Sequence, residues 1–233
     1  MLVIKLADLV IGIENKYGLI ERQVKDYITD EMPTFTVTVT DEDIEREGAM
    51  AEEEYTPPYL EFIAAYRKIA ERLPEYGAVV FHGAVLNLDG EAYAFTAKSG
   101  VGKTTHTRLW LSTFGERVHY LNGDKPIIRM IDGVPYAFGT PWRGKEGYGI
   151  NESAPLRAIA LLERGVENSA EEVTAKDGVT RLMKQIYLPK NSPAAVALTM
   201  RVASAIATSV RFVELKCNMD PEAARVAASA MIK

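Results

Sequence analysis

The chain has 233 residues, of which 47% are apolar and 25% charged, enough to bury the core of a globular protein. Its net charge of −5 and pI near 5.4 argue against a broad basic surface for nucleic acid or an anionic membrane, so any polyanion must be bound locally. The apolar N-terminus is interrupted by Lys5 and Asp8 and resembles neither a signal peptide nor a membrane span. A single cysteine, Cys217, is typical of a reducing compartment, so we expect a cytoplasmic protein.

The first part of the chain predicts a small α+β module. Residues 2–14 are rich in Leu, Val and Ile with a break near Ala7 and Asp8, and FTVTVT at 35–40 alternates apolar and polar residues, so both segments predict strands. The segment YGLIERQVKDYI between them has helical spacing. The acidic stretch at 41–54 has few apolar anchors and predicts a solvated connector. We therefore expect a module over residues 1–56 and a larger core over residues 57–233.

Strand and helix patterns alternate through this core. A helical segment, PYLEFIAAYRKIAERL, comes first, and two Asp-Gly pairs, Asp89-Gly90 and Asp132-Gly133, each predict a β-hairpin. Further strands are predicted at VHYLN, LRAIALLER and RFVELKC, and further helices at THTRLWLSTFG, GVTRLMKQIYL, AAVALTMRVASAIATSV and PEAARVAASAMI. This order predicts an α/β fold with a mixed sheet flanked by helices.

The stretch AKSGVGKTT lies between a predicted strand and a predicted helix and matches the Walker A pattern of a P-loop. Glycines let backbone N–H groups turn inward around a phosphate, and the following helix presents its positive N-terminal end to the same anion. Lys103 would reach the β- and γ-phosphates of a nucleotide, and the Thr104 hydroxyl would bind Mg²⁺. The predicted nucleotide-binding residues are Ser99, Gly100, Val101, Gly102, Lys103, Thr104 and Thr105.

A candidate acid follows the next strand, VHYL, in the segment Asn122-Gly123-Asp124-Lys125. Asp124 would hold Mg²⁺ directly or through water, or take a proton from an attacking hydroxyl. A simple Asn-Gly-Asp turn is the structural alternative. The chain has no Asn-Lys-x-Asp segment to read guanine, which disfavours a regulatory GTPase.

Three segments together, FHGAVLNLDGEAYAFTAKSGVGKTT, LNGDKPIIR and FGTPWRGK, resemble the HPr kinase/phosphorylase and PEP carboxykinase superfamily, most closely its small HPr-kinase-related proteins. The resemblance covers about residues 78–233. It implies roles for His82 with Gly83, for Thr104 as a Mg²⁺ ligand, and for Asp124 as one of an acidic pair. The second acid of that pair is replaced by Gly123 or Lys125, which argues against phosphorylase activity. The chain is also far shorter than a PEP carboxykinase, so a decarboxylating lyase is not expected.

Basic and aromatic residues near these motifs are further candidates. Arg129, Arg143 and Lys145 would stabilise transferred charge or bind an anionic substrate group, or would be solvated surface cations. Trp142 would cover a ligand or pack in the core. His106 is expected at the surface of the helix after the loop, with an approach to the phosphates as the alternative.

The resemblance and the motifs together predict a P-loop core of the HPr kinase/PEP carboxykinase type that uses ATP and Mg²⁺. The expected activity is transfer of the γ-phosphoryl group to a hydroxyl of a peptide, protein or small-molecule acceptor, with Asp124, His82 and Lys103 as catalytic residues and Thr104 and Asp124 as metal ligands. The alternative is a non-catalytic ATP-binding protein that regulates or recognises a partner. Homo-oligomer formation, the acceptor and the choice between ATP and GTP stay open.

Overall fold

The computed structural model describes residues 1–98, 100–189 and 192–232. The chain divides into two compact units, Met1–Leu73 and Pro74–Lys233. This division differs from the expected one after residue 56, because the long helix at Pro57–Arg72 packs against elements of the first unit. No helix in the described ranges combines the length and the apolar character needed to cross a bilayer.

The first unit contains a three-stranded sheet with three helices. Its strands are β1 (Leu2–Leu6), β2 (Leu9–Glu14) and β3 (Phe35–Thr38), and its helices are α1 (Leu19–Gln23), α2 (Asp41–Met50) and α3 (Pro57–Arg72). β2 lies in the centre, antiparallel to β1 and parallel to β3. Ala7 and Asp8, where the apolar pattern breaks, form the tight turn between β1 and β2 with positive φ angles of 52° and 56°.

The prediction of a solvated connector over the acidic stretch is wrong, because most of it forms α2. Thr40 caps this helix: its hydroxyl accepts a hydrogen bond from the Asp43 N–H at 3.3 Å, and the Asp43 carboxylate accepts one from the Thr40 N–H at 2.9 Å. Asp43 also forms an ion pair with Lys68 of α3 at 2.8 Å. The carboxylates therefore cap the helix and pair with basic residues of α3, in addition to facing solvent.

In its described residues, the second unit contains nine strands in one mixed sheet. They are β4 (Ala78–Val80), β5 (Ala84–Leu88), β6 (Glu91–Thr96), β7 (Val118–Asn122), β8 (Ile127–Ile131), β9 (Val134–Phe138), β10 (Ser153–Arg164), β11 (Ser169–Val173) and β12 (Arg211–Cys217). The order is β4-β8-β9-β10-β6-β5-β7, and β12 pairs with β10 and β11. β10 is parallel to β6 and β12, whereas the other pairs are antiparallel. The predicted mixed sheet is confirmed.

Helices cover both faces of this sheet: α4 (Lys103–Phe114), α5 (Ala175–Leu182), α6 (Pro193–Ser209) and α7 (Glu222–Met231). Alternate residues of β6 separate the two faces. Tyr93 and Phe95 pack with Trp110 of α4, whereas Ala92 and Ala94 belong to the cluster around Ile206 of α6. The sequence therefore directs one apolar layer to α4 and α7 and the other to α5 and α6.

Both predicted hairpins are present. Asp89 and Gly90 join β5 to β6 with φ angles of 53° and 88°, and Asp132 and Gly133 join β8 to β9 with φ angles of 49° and 81°. Positive φ at both central residues is the geometry of a type I′ turn, which Asp-Gly favours. The first hairpin brings β6 to the glycine-rich loop.

Candidate functional site

The glycine-rich loop connects the end of β6 to the first residue of α4. Gly100 and Gly102 have φ angles of 78° and 122°, in the region that favours glycine, and a Cβ at either position would meet nothing within 4 Å. Among the described residues, no side chain caps the first turn of α4. The loop therefore has open space beside both glycines, next to the positive end of α4, which suits an anion. Ser99, a predicted nucleotide-binding residue, lies outside the described residues.

Beside this loop the fold brings together the three predicted catalytic side chains. His82 lies just before β5, Lys103 begins α4, and Asp124 follows β7. The Nε2 atom of His82 is 3.5 Å from the Oδ1 atom of Asp124. The Nζ atom of Lys125 is 3.4 Å from the same oxygen. His82, Asp124 and Lys125 thus form a compact cluster, and Lys103 lies near enough to interact electrostatically with all three.

Burial and charge shift two pKa values in this cluster. Burial lowers the pKa of the Lys103 ammonium below 10.5; Asp124 opposes that shift, and Lys125 adds to it. Burial also lowers the pKa of His82 below 6.5, and Lys125 and Lys103 lower it further, whereas Asp124 opposes the change. The lowered pKa favours the neutral imidazole of His82 at pH 7, and an anion bound beside Lys103 would stabilise its charged form.

Asn122 fixes the backbone on which Asp124 and Lys125 stand. The buried Asn122 side chain accepts hydrogen bonds at Oδ1 from the N–H groups of Asp124 and Lys125, at 2.8 and 2.7 Å. Its Nδ2 donates to the Thr140 carbonyl at 3.1 Å. The Asp124 carbonyl accepts from the Gly83 N–H at 3.0 Å. Asn-Gly-Asp is thus a turn, as the structural alternative proposed, and this turn also presents Asp124 to the cluster.

Residues 143–149 form a second glycine-rich loop, which approaches Asp124 closely. A Cβ on Gly144 would lie 2.8 Å from the Cβ of Asp124, and the Gly123 N–H donates to the Tyr148 carbonyl at 2.9 Å. In this loop Arg143 is half-buried and Lys145 is exposed. Trp142 is only 5% exposed, so its ring packs in the interior. Arg129 lies on β8, opposite Ala78 and Tyr136.

The donor set fits a hard divalent cation shared with phosphate oxygens. Thr104 contributes a hydroxyl and Asp124 a carboxylate, the oxygen ligands that Mg²⁺ prefers. In the described part of the chain, no group of three or more His, Cys, Asp and Glu residues could hold a metal ion. Mg²⁺ that arrives with a nucleotide needs only one or two protein ligands, because phosphates and water complete its shell.

Two contacts at this site were not assigned from the sequence. Lys125, identified only as a departure from the family pattern, lies in the cluster. Arg164, at the end of β10, donates from Nη2 to the Gly100 carbonyl at 2.6 Å and from Nε to the Val101 carbonyl at 3.2 Å. No motif marks Arg164, because 60 or more residues separate it from the loop.

His106 is buried, and its expected position at the helix surface is wrong. It is 2% exposed; its Nε2 accepts a hydrogen bond from the Trp110 Nε1–H at 3.2 Å, and its ring lies 5.4 Å from that of Phe95. His106 therefore belongs to the packing between α4 and the sheet.

Comparisons with known proteins find remote likenesses among solved structures. No family model matches the chain, and no curated protein matches it. Among solved structures, the HPr(Ser) kinase/phosphatase from Coxiella burnetii is similar with a TM-score of 0.36 and 6% sequence identity, over 64% of this chain and 94% of that one. The function proposed below therefore depends on the geometry of the site.

Proposed function

We propose that this protein is an ATP-dependent phosphotransferase of the HPr-kinase-like type, with a P-loop formed by residues 97–104. The observation that carries the proposal is the meeting of Lys103, Asp124 and His82 beside an open glycine-rich loop at a helix N-terminus. A phosphate cradle alone is consistent with many nucleotide-binding proteins. A carboxylate and a neutral imidazole next to the cradle supply the proton acceptors that transfer to a hydroxyl requires.

Each residue has a distinct role in this proposal. The loop N–H groups and the Lys103 ammonium bind the phosphates, and Thr104 and Asp124 hold Mg²⁺. When bound, Mg²⁺ neutralises charge on the β- and γ-phosphates. Lys125 adds a second fixed positive charge 3.4 Å from the Asp124 carboxylate, suited to the charge spread over the transferred group.

The transfer step balances without a further reactant. The acceptor hydroxyl oxygen forms a bond to the γ-phosphorus, the bond from that phosphorus to the β–γ bridging oxygen breaks, and ADP leaves. The hydroxyl proton passes to the Asp124 carboxylate or to neutral His82. His82 is 48% exposed at its side chain, so an acceptor can reach it from solvent. The acceptor is a hydroxyl on a peptide, a protein or a small molecule.

Nucleotide binding by Lys103→Ala tests the proposal. Loss of the ammonium group should weaken ATP binding by at least tenfold and abolish ADP release, because charge-assisted bonds to phosphate are strong. Lys176→Ala is the control, since Lys176 is an exposed cation outside the loop and this variant should bind ATP as the wild type does. Calorimetry gives both affinities, and circular dichroism verifies the fold. Wild-type affinity in Lys103→Ala would refute the assignment.

The close Lys125–Asp124 contact favours a second candidate, a non-catalytic ATP-binding protein that regulates or recognises a partner. The Lys125 ammonium pairs with the Asp124 carboxylate, so this carboxylate already has an ion-pair role that needs no catalysis. The two functions differ in turnover. If the protein is an enzyme, wild type releases ADP with candidate hydroxyl acceptors and Asp124→Asn binds ATP without releasing ADP. If it only binds ATP, neither protein releases ADP with any acceptor.

A further inference from the structure

Arg164 connects the end of β10 to the glycine-rich loop. Its guanidinium donates to two consecutive loop carbonyls, Gly100 at 2.6 Å and Val101 at 3.2 Å. The parallel pairing of β10 with β6, with Leu161 opposite Thr96, brings the end of β10 beside the start of the loop. One planar donor group thus fixes the direction of two adjacent carbonyls.

The direction of these carbonyls matters to an anion. A phosphate is repelled by carbonyl oxygens and attracted by N–H groups, so a loop that wraps a phosphate must turn its carbonyls outward. Glycine at positions 100 and 102 makes the loop backbone permissive, and a permissive loop samples conformations with the carbonyls inward. Two hydrogen bonds from one guanidinium oppose such rotation.

We propose that Arg164 is a positioning residue that holds the Gly100 and Val101 carbonyls away from bound phosphate and so keeps the loop ready to bind. The inference rests on the proposed function, because it assumes that the loop binds nucleotide phosphates. Arg164 acts through the loop backbone and not as a direct phosphate ligand. Its effect therefore depends on the fork geometry of the guanidinium more than on its charge.

Two substitutions separate geometry from charge. Arg164→Lys keeps the positive charge but offers a single donor centre, and Arg164→Gln removes the charge. Arg157→Gln is the matched control: Arg157 lies on the same strand, where its Nε donates to Glu91 at 2.8 Å, and its loss removes the same charge away from the loop. We expect ATP affinity to fall about tenfold in both Arg164 variants and to stay at the wild-type value in Arg157→Gln.

Hydrogen exchange of the ligand-free protein gives a readout that is independent of nucleotide. The Val101 N–H donates to the Lys98 carbonyl at 3.2 Å. Its hydrogen-exchange rate should be higher than in the wild type in both Arg164 variants and equal to the wild-type rate in Arg157→Gln. Unchanged exchange, or wild-type ATP affinity in Arg164→Lys at low salt, would overturn the positioning role. Failure of the wild type itself to bind ATP would instead overturn the proposed function, and the inference with it.

Discussion

The protonation state of His82 depends on its neighbours as well as on burial. Burial is the largest cause of its lowered pKa, and the Lys125 ammonium is the second. Removing the Lys125 charge should therefore raise the pKa of His82 toward 6.5 without restoring it fully. As the pKa rises, a larger fraction of His82 is protonated near pH 6, so less of the neutral imidazole is available to accept a proton.

Lys125→Met tests this coupling without any substrate, because the side chain keeps its length and loses its charge. The pKa of His82 can be followed by NMR titration of its ring protons, in this variant and in Lys176→Met, an exposed lysine used as the control. We expect an upward shift in the first variant alone. An unchanged pKa in Lys125→Met would show that Lys125 does not govern the charge of the cluster.

His106 should make the stability of the fold depend on pH. Burial lowers its pKa from 6.5 to about 4, so the unfolded chain takes up a proton below pH 6.5 while the folded chain does not. The contribution of His106 to the free energy of unfolding is therefore fully present above pH 6.5. It falls by about 3 kcal/mol as the pH drops from 6.5 to about 4.

Substituting His106→Gln should remove that part of the pH dependence, because Gln does not titrate and can still accept a hydrogen bond from Trp110. Denaturant unfolding at several pH values measures how steeply the free energy of unfolding changes with pH. His119→Gln is the comparison, since His119 is exposed and pairs with Glu152 at 3.0 Å. His119→Gln should keep the pH dependence of the free energy of unfolding that His106 causes. An equal slope in wild type and His106→Gln would contradict the assignment.

Among the elements, α2 gains stability from ion pairs that its sequence does not reveal. Glu47 is 6% exposed and forms a bidentate ion pair with Arg67 of α3, with one distance of 2.9 Å between Nη2 and Oε2. Glu47→Ala should lower the free energy of unfolding by about 2 kcal/mol, because it leaves Arg67 without this carboxylate. Glu45→Ala, at an exposed position of the same helix, should change it by less than about 0.5 kcal/mol.

Denaturant unfolding of the full chain, followed by circular dichroism, compares these two variants directly. Both substitutions add the same helix propensity, so the difference between them reports the loss of the buried Glu47 carboxylate with all its contacts. Equal stability of the two variants would mean that the pair contributes nothing measurable to α2.

Local sequence patterns predicted the elements that depend on local physics and missed those that depend on tertiary partners. Asp-Gly turns require positive φ angles, so both hairpins were predictable. The short strand β11 carries two acidic residues and lacks apolar alternation; its pairing with β12 could not be foreseen. Arg164 reaches the loop only because β10 pairs in parallel with β6, a contact with no sequence signal.

For the whole molecule, the candidate site and its supporting core belong to one unit. His82, Lys103, Asp124, Lys125 and Arg164 all lie in Pro74–Lys233, and so do the residues of both apolar clusters around the nine-stranded sheet. A chain of residues 74–233 should therefore bind ATP with an affinity within about threefold of the full chain, since binding needs no residue of the first unit.

Calorimetry with ATP on both chains measures this ratio, and circular dichroism verifies that the shorter chain is folded. Lys103→Ala in the 74–233 chain is the matched negative control, because any binding that survives this substitution does not occur at the loop. A folded 74–233 chain that binds ATP more than tenfold weaker than the full chain would contradict the prediction. Residues 1–73 would then be required to complete the nucleotide site, whereas equal affinity leaves them free for acceptor or partner recognition.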